Sequence, residues 1–131
     1  MGTAAASTIM VIGINSDFTY LMQYYTRKSG RQALVSSPDK EALSLAKREK
    51  PAVVVLEADR AGAVGGDVLQ ALKANQTTCH IPVVVCSWLD EATSELAERA
   101  TCYLQKPISY QDFLTALAHV GCASDPKGGD V

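Results

Sequence analysis

The stretch that decides the fold reads Pro51-Ala-Val-Val-Val-Leu-Glu57-Ala-Asp-Arg-Ala-Gly62. Its apolar run from Val53 to Leu56 follows a proline and precedes a glycine-rich segment, which predicts a strand buried on both faces. Glu57 stands where that strand should end. Strands of this kind are typical of parallel sheets, and their carboxyl ends usually carry the functional side chains.

Comparable runs recur on both sides of this stretch and alternate with amphipathic segments. The apolar runs predict strands at residues 9–14, 33–36, 53–56, 81–86 and 102–104. Helical periodicity predicts helices at 17–29, 37–49 and 90–99, the second with Ser37 as its N-cap. Two further helices are predicted, one after a turn at glycines 62, 65 and 66 and one after an N-cap at Ser109. Alternating units and right-handed crossovers predict a doubly wound α/β fold with helices on both faces of a five-stranded parallel sheet.

Length, charge and composition restrict the function. We expect one folded domain at residues 8–122, a disordered segment at 1–7 and a flexible tail at 123–131 of the 131-residue chain. The net charge of −2 comes without a basic stripe, so no nucleic-acid partner is expected. No apolar run reaches the roughly 20 residues of a membrane span. The chain should therefore be a cytoplasmic protein without a membrane partner.

The four cysteines fit the same compartment, since none forms a CxxC pair. They are interpreted as reduced thiols. The alternative, a metal or redox site that includes Cys79 and His80, would need more ligands than two neighbours supply.

Three motifs in order make the chain similar to the CheY-like receiver domains of bacterial response regulators. They are the stretch quoted above, the segment Ile81-Pro-Val-Val-Val-Cys-Ser87, and the segment Tyr103-Leu-Gln-Lys106-Pro107. The resemblance extends over about residues 8–121. It implies a flavodoxin-like sheet with strand order 2-1-3-4-5, and a cis peptide bond before Pro107.

The resemblance also implies a reaction. In the family, two acids after the first strand and an aspartate after the third hold Mg²⁺, and that aspartate accepts a phosphoryl group from a kinase histidine. The metal, a lysine and a Ser or Thr hydroxyl neutralise the transferred oxygens. Lys106 and Ser87 match the lysine and the hydroxyl.

The acidic residues of the family are replaced here. Gly13 and Ile14 occupy the positions of the acid pair, and neither side chain has an oxygen for a hard cation. Glu57 occupies the aspartate position, one methylene longer. We therefore expect no Mg²⁺ or other cofactor, no phosphorylation and no enzymatic activity, which makes the chain an atypical receiver, or pseudo-receiver.

Several residues of the altered pocket can be interpreted in more than one way. Glu57 could pair with Lys106 and imitate the phosphorylated state permanently, or it could satisfy the lysine without any signal. Trp88 follows Ser87 and either covers the pocket or serves as a core or interface residue. Ser87 could simply bond to backbone groups.

Signalling would then depend on contacts with another protein, such as a kinase, a regulator or an output protein. The resemblance implies a face that includes Tyr103, the last helix, and Asp90, Glu91 and Glu95 of the predicted helix at 90–99. A homodimer through this face is a further possibility. The interval from Ser87 to Lys106 is about three residues shorter than is usual in the family, which should alter this face.

Two rival functions use the same crevice. One is an active receiver that accepts phosphate on Glu57 or Asp59 in an unconventional way. The other is a small-anion or ligand-binding module that uses Lys106, Ser87 and backbone N–H groups.

Overall fold

The computed structural model describes residues 8–59, 63–90 and 94–121, without the side chains of residues 63 and 64. Within these ranges the elements follow one another as β1 Thr8–Ile12, α1 Ser16–Lys28, β2 Gln32–Ser36, α2 Lys40–Glu49, β3 Val53–Glu57, α3 Ala63–Ala74, β4 Val83–Ser87, β5 Cys102–Gln105 and α4 Tyr110–His119. The sheet order is β2-β1-β3-β4-β5, and all neighbouring strands run parallel. The predicted doubly wound fold and its strand order are confirmed.

The apolar strands form the centre of the molecule. Every residue of β1, β3 and β4 is buried, as expected for strands covered by helices on both faces. One core cluster includes buried residues of α2 and α3, and the other includes buried residues of α1 and α4. The two helix pairs therefore cover opposite faces, and the loops that follow the strands meet at the carboxyl edge.

The first strand is shorter than the sequence predicted. It ends at Ile12, and Ile14 is 48% exposed rather than buried. The cause is the start of α1, where the Asn15 side chain accepts hydrogen bonds from the N–H groups of Asp17 at 2.7 Å and Phe18 at 3.4 Å. This N-cap requires the chain to leave the sheet before Asn15.

Two other local predictions are also wrong. The N-cap of α2 is Asp39 rather than Ser37, because the Asp39 carboxylate accepts the Glu41 N–H at 2.9 Å. The glycines at 65 and 66 lie inside α3 rather than in a preceding turn, and Gly62 lies outside the described residues. Gly65 has φ +94°, and a Cβ there would lie 2.9 Å from Ala58 Cα, so a side chain would be strained at this position.

The prediction of a helix at 90–99 is wrong for those residues of this range that the structure describes. Residues 95–99 form turns. The Ser94 hydroxyl accepts the Leu96 N–H at 3.2 Å, and the Ser94 carbonyl accepts the Ala97 N–H at 3.3 Å. Ser94 thereby offers the backbone an alternative to helical bonding, and buried Leu96 fixes the turn to the core. Residues 91–93 lie outside the described ranges.

The segment after β5 agrees with the sequence prediction. The Lys106–Pro107 peptide bond is cis. Ser109 caps α4 in a capping box, in which its hydroxyl accepts the Asp112 N–H at 3.0 Å and its own N–H donates to the Asp112 carboxylate at 3.1 Å. This cap directs α4 back along the sheet and leaves Lys106 at the carboxyl edge.

Candidate functional site

The crevice at the carboxyl edge is built from three connections. The β1–α1 connection contributes Gly13 and Ile14, β3 ends in Glu57, and the segment after β5 contributes Lys106. The first two connections meet because β1 and β3 are neighbours in the sheet. β5 lies one strand further on, beyond β4, and the Lys106 side chain reaches Glu57 from there.

A buried ion pair joins the two charged residues of the crevice. Lys106 Nζ lies 2.5 Å from Glu57 Oε2, and only 11% and 5% of the respective side chains are exposed. Nζ also lies 4.9 Å from the centroid of the Phe18 ring, a cation–π contact. Both charges are therefore taken out of water and depend on each other for compensation.

The second carboxylate oxygen of Glu57 is bound by the backbone. Glu57 Oε1 accepts the Ile14 N–H at 2.6 Å and the Asn15 N–H at 2.9 Å. These amides precede the first turn of α1, where the helix dipole favours a negative charge. The sequence prediction missed these backbone donors, although Asn15 before Ser16 and Asp17 is a recognisable capping signal.

Gly13 allows the backbone to pass close to this carboxylate. A Cβ at position 13 would lie 2.4 Å from Thr19 Cγ2, and 3.1 Å from both Glu57 Oε1 and Phe18 Cδ2. An acidic side chain at Gly13 would therefore require its neighbours to move.

The donor set does not fit the Mg²⁺ that the fold implies. Gly13 and Ile14 supply no side-chain oxygen, and the Glu57 oxygens are already bonded to two amides and an ammonium group. Across the part of the chain that the structure describes, no group of three or more His, Cys, Asp or Glu residues could hold a metal ion.

Ser87 bonds to the backbone at the end of β4. Its side chain is buried, and its hydroxyl accepts the Leu89 N–H at 3.2 Å. The neighbouring Cys86 is fully buried, and this burial raises the pKa of its thiol well above the usual value, so the thiol stays neutral. No disulfide forms among Cys79, Cys86 and Cys102, and Cys122 lies outside the described residues.

Trp88 lies at the mouth of the crevice rather than in the core. It is 55% exposed, and its ring centroid is 5.7 Å from Lys106 Nζ. Its carbonyl accepts the Gln105 Nε2–H at 3.3 Å. The indole is therefore placed to report on any change at Lys106.

Tyr103 is attached to the connection after β4. Its hydroxyl donates to the Leu89 carbonyl at 2.6 Å, and its ring packs against the core cluster of α2 and α3. Asp90 and Glu95 are exposed, and Glu91 lies outside the described residues. A shallow groove of about 290 Å³ runs between β5 and α4, close to Tyr103.

A second cleft, which the sequence prediction missed, borders the crevice. It has a volume of about 710 Å³ and lies between the start of α1 and the face of α2. Its polar lining includes Ser16, Thr19, Ser44 and Arg48. It shares Gly13, Ile14 and Asn15 with the crevice.

No helix among the described residues has the length and apolar character needed to cross a membrane.

Comparisons with known proteins agree with this fold. No protein-family model matches the sequence. Protein PilH of Pseudomonas aeruginosa is 25% identical over 112 residues, which cover 83% of this chain and 93% of PilH. Among solved structures, the Vibrio cholerae chemotaxis protein CheY4 superimposes with a TM-score of 0.77 at 16% identity, covering 87% of this chain and 98% of CheY4.

Two further structures have the same architecture. The bacteriophytochrome response regulator RtBRR gives a TM-score of 0.74 at 22% identity, with 88% of this chain and 78% of RtBRR covered. The receiver domain of the sensor histidine kinase PA1611 from Pseudomonas aeruginosa gives a TM-score of 0.75 at 14% identity, with 88% of this chain and 98% of that domain covered. That structure contains a magnesium ion in its active-site cleft. The CheY-like receiver fold that the resemblance implied is confirmed.

Proposed function

We propose that this chain, which has the CheY-like fold of response-regulator receiver domains, is a cytoplasmic pseudo-receiver of two-component signalling that is not phosphorylated and acts by binding another signalling protein. The observation that carries the proposal is the buried Glu57–Lys106 ion pair, whose carboxylate is bonded at both oxygens.

The bonding of Glu57 opposes phosphoryl transfer. An acceptor carboxylate must present an oxygen in line with the phosphorus atom, beside a metal ion that neutralises the transferred oxygens. Here Oε2 faces the Lys106 ammonium and Oε1 faces two backbone amides. Because phosphoryl transfer depends mostly on positioning, the longer side chain and the missing metal ligands together remove the reaction.

The same bonds support a structural role for Glu57. The carboxylate connects the start of α1, the end of β3 and the segment after β5. It brings a single negative charge, whereas a phosphoryl group brings about −1.5 to −2. We therefore assign Glu57 to holding these three connections in one arrangement, rather than to imitating a phosphorylated state.

The partner contact is proposed for the face that includes Tyr103, Asp90, Glu95 and α4. Tyr103 is held by its bond to the Leu89 carbonyl, so this face does not depend on a switch at the crevice. Its recognition by a kinase, a regulator or an output protein would rest on the fixed exposed side chains.

The rival functions receive less support from the geometry. An anion-binding module needs a free cation, but the Lys106 ammonium is paired with Glu57. An active receiver needs a metal, but the donor set at Gly13 and Ile14 does not fit one.

Trp88 fluorescence tests the proposal, because the indole lies 5.7 Å from the Lys106 ammonium. Titration with Mg²⁺, and then with Mg²⁺ and beryllofluoride, should leave the emission unchanged. A receiver domain with an intact acid pair and a tryptophan beside its pocket serves as the positive control. Saturable quenching by Mg²⁺ would support the active receiver, and saturation by phosphate alone would support the anion-binding module.

A further inference from the structure

The outer face of α1 carries large side chains that do not contribute to the core. Tyr20, Leu21 and Tyr24 are 72%, 36% and 50% exposed. The opposite face of the same helix supplies Phe18 and Met22 to the buried cluster of α1 and α4. A helix that buries one apolar face in the core and also exposes large apolar side chains on its outer face usually has a binding partner on that outer face.

The exposed stripe has charges of opposite sign at its two ends. Asp17 lies in the first turn of α1, and Arg27 and Lys28 lie in the last turn. At 3.6 residues per turn these residues fall on the same side of the helix as Tyr20 and Tyr24. Lys28 Nζ lies 5.8 Å from the Tyr24 ring centroid and 4.7 Å from that of Tyr110, which extends the surface to α4.

The order of these residues is self-complementary. Met22 lies midway in the sequence between Asp17 and Arg27, and also midway between Tyr20 and Tyr24. If a second copy of α1 is laid antiparallel across the exposed face, with the two helices crossing at the level of Met22, each Asp17 meets an Arg27 and each Tyr20 meets a Tyr24. A two-fold contact requires such a relation, because the same patch must serve both subunits.

We propose that the exposed face of α1 is the contact between two copies of this chain, paired antiparallel with the two-fold axis at the level of the buried Met22. Tyr20, Leu21 and Tyr24 of both copies form the apolar centre. Asp17 of each copy pairs with Arg27 of the partner subunit at either end. Apart from Tyr110 at the start of α4, this surface does not overlap the face near Tyr103, whose ring packs against the core cluster of α2 and α3.

The size of α1 sets the expected affinity. Its 13 residues give a helix about 20 Å long, since each residue adds about 1.5 Å. Such a contact belongs to the small end of specific interfaces, so the dimer should dissociate at concentrations on the order of 10 to 100 µM. Association should be reversible and should weaken with salt.

Charge reversal separates this contact from other modes of association. Sedimentation velocity over a concentration series would compare the unmodified chain with Asp17→Lys and Arg27→Asp. Each substitution alone places like charges at both ends of the pair and should weaken dimerisation at least about tenfold. An equimolar mixture of the two variants restores opposite charges at both ends, and should therefore dimerise as the unmodified chain does.

Glu41→Lys and Lys47→Asp are the matched controls. Glu41 lies in the first turn of α2 and Lys47 in its last turn, so they reproduce the helix-end charges of the test positions on the opposite side of the sheet. Circular dichroism melting would verify that each variant folds. The proposal predicts dimers for both controls.

Three results would overturn the proposal. The first is an unmodified chain that stays monomeric up to about 1 mM, well above the expected dissociation constant. The second is a mixture of the two variants that stays monomeric. The third is a pair of control substitutions that weaken the dimer as much as the test substitutions do.

Discussion

Glu57 and Lys106 carry opposite charges where water reaches only 5% and 11% of their side chains. Removing one partner leaves the other charge buried without its counter-ion, which is far more costly than losing an exposed pair. The Arg48–Glu49 pair offers the comparison, since its side chains are 69% and 41% exposed.

We expect Lys106→Met to lower the free energy of unfolding by about 3–5 kcal/mol. Arg48→Met should change it by no more than about 1 kcal/mol. Adding Glu57→Gln to Lys106→Met should recover part of the loss, because the uncompensated charge is then removed. Urea unfolding followed by far-ultraviolet circular dichroism measures all four proteins. Equal effects of Lys106→Met and Arg48→Met would contradict the importance of the buried pair.

Gly13 gives a second prediction at the residue scale. Gly13→Asp places a Cβ 2.4 Å from Thr19 Cγ2, and this overpacking should cost about 1–3 kcal/mol. Gly66→Ala is the matched control, because its Cβ would meet Leu96 Cδ2 at an ordinary 3.6 Å and a helical alanine should gain about 0.5–1 kcal/mol. Thermal melting distinguishes the two. A Gly13→Asp protein as stable as the unmodified chain would show that the crevice can accept an acid.

The sequence was sufficient to predict that Glu57 and Lys106 lie close together, because β3 ends at Glu57, Lys106 follows β5, and the carboxyl ends of these strands share one edge of the sheet. It was not sufficient to find the amides of Ile14 and Asn15 as partners of Glu57. Backbone donors are the same for every residue type, so only the path of the chain before α1 determines which of them face the carboxylate.

The connection between β4 and β5 is the element that departs most from the sequence prediction. Its polar, Glu-rich composition is compatible with a helix, but a hydrogen-bonded turn at Ser94 and the burial of Leu96 determine the described part. The strands were predicted more reliably, since a continuous apolar run leaves few alternatives to a buried strand. The predicted end of a strand was wrong where a helix cap ended the strand earlier, as the Asn15 cap of α1 does after β1.

Tyr103 ties this connection to β5 by the bond from its hydroxyl to the Leu89 carbonyl at 2.6 Å. We expect Tyr103→Phe to cost about 0.5–1.5 kcal/mol and to speed amide hydrogen exchange in the segments 88–90 and 94–100. Tyr24→Phe, measured below the dissociation constant of the proposed dimer, is the control, because the half-exposed Tyr24 ring lies on α1. Unchanged exchange in Tyr103→Phe would mean that the hydroxyl does not hold the connection.

At the scale of the whole molecule, the arrangement of the sheet matches that of receiver domains, whereas the residues of the crevice differ from theirs. The strand order and the helices on both faces follow from burying continuous apolar strands, and they tolerate large changes in sequence. The crevice depends on a few atoms, and Gly13 and Ile14 offer no side-chain oxygen to a metal there. We therefore propose that the fold shared with receiver domains does not bring their reaction with it.

The most direct test of this account is intact-protein mass spectrometry after incubation with Mg²⁺ and a small phosphodonor. A receiver domain with the full acid pocket, treated in the same tube, confirms that the donor is active. We predict that the mass of this chain stays unchanged while the control gains a phosphoryl group. A Mg²⁺-dependent phosphoryl addition that maps to Glu57 or Asp59 would contradict the account and make the protein an active receiver.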